Sequence, residues 1–209
     1  TYGIPAVFPD MRSFVARAME HLRRRGRRRL GYLGMWIGSE RAVEQQLMAD
    51  AARRGLTLEP YCVQGCHFET AGAAANMAHV LMRLPPESRP DGLILADDNL
   101  VEPAVAGLIE AGVRIGQDVE VVAHCNYPLD TADVVPLKRL GFDGREILRC
   151  CLEVIDVQRR GARPPMMTEI PAVFEDELPR HAPDRADRAG RAVSSVGADA
   201  RQAAERAGR

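Results

Sequence analysis

The chain has 209 residues, a formal net charge of −1 and a hydrophobic fraction of 46%. This length can form one large domain or two small lobes with real cores, and the balanced charge argues against a generally basic nucleic-acid-binding domain. The sequence shows no apolar run long enough to span a bilayer and no signal-peptide pattern. Its five cysteines, two of them adjacent, do not resemble a disulfide framework. We therefore expect a cytoplasmic protein without membrane contact.

Helical and extended patterns alternate along the chain. In chain order they predict strand 4–8, helix 13–24, strand 30–35, helix 40–55, strand 58–63, helix 70–84, strand 91–96, helix 100–112, strand 119–124, helix 144–161 and strand 168–174. Ser13 could cap the first helix, and Gly26, Gly55 and Gly112 would end three of the helices. A proline-containing loop precedes the long helix that starts at 144.

The strands read as almost continuous apolar runs, and helices of about 10 to 15 residues separate them. Such a pattern is typical of a parallel sheet that is covered on both faces. The sequence therefore predicts an α/β fold with a doubly wound parallel sheet. After residue 178 the chain becomes rich in Ala, Arg and Asp, which predicts a mobile tail over 179–209.

Six arginines surround Gly26 in the stretch EHLRRRGRRRLGYLG, residues 20–34. They could form a patch that contacts nucleic-acid phosphates, or a solvated corner where a helix turns into a strand. Arginines 23–25 end the predicted helix, where positive charge suits the helix dipole, and arginines 27–29 lead into a buried strand. The corner interpretation is favoured, with a phosphate contact as the alternative.

Four segments, in this order, resemble the effector-binding core of LacI/GalR transcription regulators, which shares the periplasmic sugar-binding-protein fold. They are FPDMRSFVARAMEHLRRRGRRRLGYLG (8–34), SERAVEQQLMADAARRG (39–55), RPDGLILADDNLVEPAVAGLIEAGVRIGQDVEVVAHCN (89–126) and VPLKRLGFDGREI (135–147). The resemblance covers about residues 4–178.

The resemblance implies a periplasmic-binding-protein-like core over 1–178, with a ligand bound between two lobes. The second lobe, over about 10–140, would be nearly complete. The first lobe would be partial, formed by 1–9 and 141–178. The family's helix-turn-helix precedes this core, so DNA would be contacted only through an N-terminal domain absent from this chain.

The implied function is small-molecule sensing in transcription regulation. A sugar or sugar derivative would close the lobes of a homodimer and so change the geometry of its DNA-binding domains. The alternative is a periplasmic-type sugar-binding protein of a transport system, which the missing signal sequence disfavours. Since no phosphate loop, nucleophile elbow or HExxH motif is present, we expect neither an enzyme nor a cofactor.

Three candidate ligand residues match the resemblance in type or position. Arg41 stands at the family's helix-start arginine and could bind ligand hydroxyls or a carboxylate, although a surface pair with Glu44 or Glu40 fits equally well. Asp97 and Asp98 follow a strand at its carboxyl end, where open α/β sheets bind ligands. They could accept sugar hydroxyls, or one of them could simply cap the next helix.

The sharpest departure from the family is VVAHCN, residues 121–126. Where the resemblance implies an aromatic residue and a ligand-binding Asp, this chain has His124 and Cys125, followed by Asn126. An ordinary hexose is thereby disfavoured, and a modified or acidic sugar held by Arg41 is our hypothesis. The remaining candidates are His67, or alternatively Phe68, near the family's aromatic stacking position, and Phe142 and Asp143, of which Asp143 is the better match to a polar contact.

Cysteines and histidines also raise a metal alternative. Cys62, Cys66 and His67 are close in sequence, and His124 with Cys125 could approach them from another loop; thiolate and imidazole are preferred zinc ligands. Because Cys62 lies in a strand pattern and no second pair of matching spacing follows, buried reduced cysteines are the favoured interpretation. We therefore predict no metal.

Overall fold

The computed structural model describes residues 3–35, 40–128 and 135–178, apart from the side chains of Glu40 and Phe68. The predicted tail over 179–209 lies outside the described residues. By its internal contacts the chain divides into Thr1–Asp176 and Glu177–Arg209. All the elements named below belong to the first unit.

Strands and helices alternate as the sequence pattern predicts as far as residue 127. The strand Lys138–Asp143, which the pattern does not predict, then follows another strand with no helix between them in the described residues. The described residues form β1 (Ala6–Asp10), α1 (Met11–Arg24), β2 (Leu30–Met35), α2 (Glu40–Arg53), β3 (Val63–Cys66), α3 (Ala73–Met82), β4 (Gly92–Leu95), α4 (Val101–Glu110), β5 (Glu120–Tyr127), β6 (Lys138–Asp143), α5 (Gly144–Arg159), β7 (Met167–Pro171) and β8 (Val173–Phe174). None of the described helices is long and apolar enough to cross a membrane.

Six strands form the main sheet, in the order β3-β2-β4-β5-β6-β8. The first five are parallel, and β8 pairs antiparallel with β6. Every residue of β4 is buried, so both faces of the sheet are covered. The α/β prediction with a parallel sheet is confirmed. Because the five strands are parallel, their carboxyl ends lie along one side of the sheet, which we call the carboxyl edge.

A second, two-stranded sheet pairs β1 with β7 in parallel. Helix α5 contacts both of these strands and also β5 and β6. The predicted partial first lobe included 141–178, but β6 runs to Asp143 and β8 lies at 173–174, and both belong to the six-stranded sheet. The main sheet therefore extends beyond residue 140, and the division of the chain into lobes stays a prediction.

The first helix begins earlier than predicted, and Ser13 does not cap it. Asp10 is the cap, since its carboxylate accepts hydrogen bonds from the backbone N–H groups of Arg12 and Ser13, both at 3.0 Å. The Ser13 hydroxyl instead donates to the Asp10 carbonyl at 2.8 Å and accepts from the Ala172 N–H at 2.8 Å. Ser13 thus ties α1 to the chain between β7 and β8.

Two strand predictions need correction. The segment predicted as strand 58–63 starts with a short 3₁₀ turn over Pro60–Cys62, and β3 begins only at Val63. Proline supplies no backbone donor, which explains why the ladder starts after it. The last predicted strand divides at Ala172 into β7 and β8, which lie in different sheets.

The arginine corner is largely neutralised by carboxylates. Five of its six arginines lie 2.7 to 3.6 Å from a carboxylate oxygen: Arg23 and Arg24 pair with Glu20, Arg25 and Arg27 with Glu120, and Arg29 with Asp91. The remaining arginine, Arg28, donates its backbone N–H to Asp91 at 2.8 Å. This arrangement favours the corner interpretation over a phosphate-binding patch.

Candidate ligand-binding site

A polar cluster lies at the carboxyl edge, where the neighbouring strands β4 and β5 end. Asp98 comes three residues after β4, and His124 and Asn126 belong to the last half of β5. The Asn126 amide donates to Asp98 Oδ2 at 2.8 Å, and His124 Nδ1 lies 4.0 Å from Asp98 Oδ1. These three residues, which the sequence singled out separately, therefore form one group, and we call it the edge cluster.

His124 is fixed by two aromatic rings. Its ring centroid lies 5.4 Å from that of Phe14 on α1 and 5.7 Å from that of Phe142 on β6. Only 10% of the His124 side chain is exposed, and among the described residues the buried Nδ1 has no hydrogen-bond partner. Burial lowers the pKa of His124 despite the opposing charges of Asp98 and Asp97, so the imidazole is neutral at neutral pH.

The two adjacent aspartates do different things. Asp97 caps the 3₁₀ turn after β4, since its carboxylate accepts from the Asn99 backbone N–H at 2.9 Å and from the Asn99 side chain at 2.8 Å. The capping alternative thus describes Asp97. The Asp98 side chain is 40% exposed and faces His124 and Asn126. Asp98 is therefore the more exposed carboxylate of the pair and the one that belongs to the edge cluster.

Arg41, His67 and Asp143 also lie at the carboxyl edge, because they follow or end β2, β3 and β6. Arg41 and His67 are exposed, and among the described contacts neither makes a hydrogen bond or ion pair with the edge cluster. Asp143 caps α5 by accepting from the Arg145 backbone N–H at 2.9 Å. The Phe68 side chain lies outside the described residues.

Cys125 and Phe142 occupy interior positions. Side chains alternate along a strand, so Cys125 points to the face of β5 opposite to His124 and Asn126. Burial raises the pKa of its thiol to about 11. Phe142 is 1% exposed and belongs to the hydrophobic core, where it supports His124. The structure does not bring either side chain to the exposed side of the edge cluster.

The zinc alternative finds no supporting geometry in the part of the chain that the structure describes, where no three His, Cys, Asp or Glu side chains are grouped to hold a metal ion. Cys62 and Cys66 are both buried, and Cys66 Sγ lies 3.5 Å from Met77 Sδ. Burial raises the pKa of the Cys62 thiol to about 11, which disfavours the thiolate that zinc requires.

Sequence reasoning missed two aromatic residues that shape this region, Phe14 and Tyr32. Burial, followed by the nearby Asp97 charge, raises the pKa of the Tyr32 phenol to about 12. A Cβ at Gly34 would lie 2.6 Å from the Tyr32 ring, so glycine leaves the space that the ring occupies. The spacing of Tyr32 and Gly34 in the sequence could have indicated that the Tyr32 ring lies over Gly34, since residues two apart on a strand share a face.

A groove of about 370 Å³ lies away from the edge cluster, beside β3 and α3. Tyr61, Met77, Val80 and Leu84 are among the side chains that line it. It is mainly apolar, whereas the edge cluster offers a carboxylate, an amide and an imidazole. The two regions would therefore suit different ligands.

A parallel α/β sheet with polar side chains gathered at the carboxyl ends of its central strands defines a small-molecule-binding class of fold. The sequence profile of the periplasmic binding protein-like domain family matches residues 19–171, and the chain belongs to that family. The periplasmic-binding-protein-like fold that the resemblance implied is thereby confirmed.

Several solved structures share the fold. A LacI-family regulatory protein from Chloroflexus aggregans is 22% identical with a TM-score of 0.69 and matches 80% of this chain and 60% of its own. A LacI family transcriptional regulator from Mycobacterium smegmatis is 20% identical with a TM-score of 0.63, and the match covers 82% of this chain and 64% of that protein. A LacI family transcriptional regulator from Lactobacillus casei with bound glucose is 17% identical with a TM-score of 0.62, and the match covers 80% of this chain and 62% of that protein.

This chain therefore corresponds to about 60 to 64% of the length of those proteins. Curated protein sequences gave no match.

Acidification is expected to destabilise the fold through His124 and His21. Burial lowers the pKa of both below the ordinary 6.5, against the pull of Asp98 and Asp97 on His124 and of Glu120 on His21. Below about pH 6.5 the unfolded chain then binds protons that the folded chain does not. The free energy of unfolding therefore decreases as the pH is lowered.

Urea unfolding measured between about pH 7 and about pH 5 would test this expectation. The His124→Asn variant should show a shallower pH dependence of the free energy of unfolding than the parent chain. Parallel pH profiles for the parent and His124→Asn chains would contradict the assignment.

Proposed function

We propose that this chain is the effector-sensing core of a LacI-type transcription regulator. The observation that carries the proposal is the edge cluster, which offers a carboxylate, an amide and a neutral imidazole at the position where this class of fold binds small molecules. The similarity of the fold to LacI-family regulators supports a role in regulation. The implied effector is a sugar or sugar derivative, and glucose is bound to the L. casei relative.

The mechanism would be thermodynamic linkage. A ligand that binds the closed arrangement of the core more tightly than the open one shifts the protein toward the closed state. In a complete regulator, that shift changes how the DNA-binding domains are held. On this proposal the chain senses its effector in the cytoplasm and carries out no catalysis, and the DNA contact of the regulator is made through an N-terminal helix-turn-helix domain.

Self-association belongs to the same proposal. Val80 on α3 and Ile109 on α4 are 61% and 57% exposed, and these two helices pack on each other. Leu148, Leu152 and Ile155 form a further exposed apolar stripe on α5. Apolar surface of this kind tends to be buried against a partner, so we expect a dimer or larger species. A stable monomer in light scattering at micromolar concentration would argue against it.

The sensing function is tested on the full-length product of the reading frame that encodes this chain. A thermal-shift screen of sugars and sugar derivatives would identify a ligand, and its effect on binding to DNA from the adjoining regulatory region would then be measured. Replacing Asp98 by Ala is expected to reduce ligand affinity about 10- to 100-fold, since a charge-assisted hydrogen bond contributes about 1.5–3 kcal/mol.

The Asp156→Ala variant is the matched control, because Asp156 is exposed on α5, away from the edge cluster. It should keep the parent affinity. A ligand that binds without altering DNA binding would refute the regulatory role. Equal ligand affinities of the parent and Asp98→Ala proteins would refute the site.

A further inference from the structure

The edge cluster contains two polar atoms that face each other without a hydrogen bond between them. His124 Nδ1 and Asp98 Oδ1 are 4.0 Å apart, which is too far for a direct hydrogen bond. Nδ1 is buried and finds no hydrogen-bond partner in the part of the chain that the structure describes, and the His124 side chain is held in place by Phe14 and Phe142. A buried nitrogen without a partner is costly, so this gap suits a ligand group that bonds to both atoms.

The charge of the surroundings indicates which group that is. Asp97 and Asp98 are adjacent carboxylates, and their described hydrogen bonds come from the amide groups of Asn99 and Asn126. Among the described residues, no Arg or Lys forms an ion pair with either of them, and the neighbouring imidazole is neutral because burial lowers its pKa. The edge cluster therefore carries negative charge that a bound cation would offset.

We propose that the edge cluster selects a hydroxylated ligand that carries a protonated amine, such as an amino sugar, with the ammonium group between Asp98 Oδ1 and His124 Nδ1. The inference rests on the proposed sensing function and names its ligand class. It replaces the acidic sugar that the sequence suggested, since a ligand carboxylate would be repelled by Asp97 and Asp98 and Arg41 makes no described contact with the cluster.

An ammonium group meets the hydrogen-bonding needs of this gap. It carries three donors, so it can donate to the carboxylate and to the imidazole nitrogen at once. A hydroxyl group has one proton and bridges the two atoms only when the imidazole donates from Nδ1. That bridge leaves the carboxylate charges uncompensated, whereas the ammonium forms a charge-assisted hydrogen bond with Asp98.

Asn126 completes the recognition of such a ligand. Its amide nitrogen is engaged by Asp98 Oδ2 at 2.8 Å, which orients the carboxylate and leaves Oδ1 toward His124. The exposed side of Asn126 remains available to hydroxyl groups of the same ligand. The cluster thus combines one site for the cation with neighbouring acceptors and donors for hydroxyls.

The test compares three probes that differ mainly in charge: glucosamine, glucose and glucuronate. Each is titrated at about pH 7 into the present chain, and the ring-proton NMR signals of His124, assigned with a His124→Phe variant, report binding at this site. Glucosamine is expected to bind at least about tenfold more tightly than glucose, and glucuronate most weakly.

Two variants separate the contributions of Asp98 and His124 to the preference for the amine. Asp98→Asn keeps the shape of the side chain but removes its charge, so it should bring the glucosamine and glucose affinities to within about twofold of each other. His124→Phe keeps the aromatic packing but removes the acceptor, and it should weaken glucosamine more than glucose. Near-ultraviolet circular dichroism of both variants verifies that the fold is retained.

The proposal is overturned if glucose or glucuronate binds as tightly as glucosamine, if the preference for the amine survives Asp98→Asn, or if glucosamine does not perturb His124 at about 100 mM. Preferential binding of a neutral or acidic sugar at His124 would leave the proposed sensing function intact. Amine selectivity combined with DNA binding that no ligand alters would instead refute the sensing function and leave this chemistry standing.

Discussion

Replacing Gly107 by alanine is expected to lower the free energy of unfolding by about 2–4 kcal/mol. A Cβ at this position of α4 would lie 2.0 Å from the backbone carbonyl oxygen of Ala75 on α3, where no side-chain motion can relieve the clash. The better helix propensity of alanine returns only about 1 kcal/mol. The two helices would have to separate, and the packing between them would be lost.

Gly72→Ala is the matched control, because it makes the same chemical change at the start of α3. Gly72 has a helical φ of −58°, and no atom of the described residues lies within 4 Å of the place that an added Cβ would take. This variant should be neutral or slightly stabilising. Urea denaturation of both variants measures the difference, and coincident midpoints for Gly107→Ala and the parent chain would contradict the close contact of α3 and α4.

Truncating Phe142 to alanine is expected to lower the free energy of unfolding by about 3–5 kcal/mol. Phe142 is 1% exposed and packs against His124, so the change leaves a cavity beneath the edge cluster. Phe8→Ala on β1 makes the same truncation where the side chain is 46% exposed, and its cost should be clearly smaller. Similar midpoints for the two variants in chemical denaturation would mean that Phe142 does not belong to the core.

The alternation of elements could be predicted because most strands are continuous apolar runs. The sequence pattern does not predict β6, because this strand begins with Lys138 and Arg139 just after Pro136. Charged residues so close to a proline are typical of a loop. In the structure Arg139 is nevertheless 8% exposed. The start of α1 was misplaced since both Asp10 and Ser13 are residue types that cap helices, and only the fold shows that Ser13 bonds to Ala172.

The position of the candidate site in the fold could be predicted more easily than the side chains that form it. Residues that follow parallel strands must lie at the carboxyl edge, which located Asp98 and Asn126 correctly at the ends of β4 and β5. Side-chain direction depends on the register of each strand, and a single sequence does not fix that register. His124 and Cys125 are neighbours in sequence, yet His124 packs against Phe14 and Phe142 while Cys125 is buried on the opposite face of β5.

His124 gives the edge cluster its chemical character. The resemblance to LacI/GalR regulators implied an aromatic residue at this position and an aspartate at the next, but here the imidazole lies beside Asp98 and the following side chain, Cys125, is buried on the other face. A neutral imidazole can accept a hydrogen bond from a cation and adds no charge of its own. If the proposed function holds, the ligand preference of this chain should therefore differ from that of the L. casei protein that binds glucose.

A crystal structure of the chain with a ligand found by thermal-shift screening would show directly whether the edge cluster binds the ligand. We predict ligand density at the carboxyl edge, with polar ligand atoms within hydrogen-bonding distance of Asp98 and Asn126 and of His124 Nδ1. Density that instead fills the apolar groove beside β3 and α3, with the edge cluster unchanged and without contacts to the ligand, would contradict it.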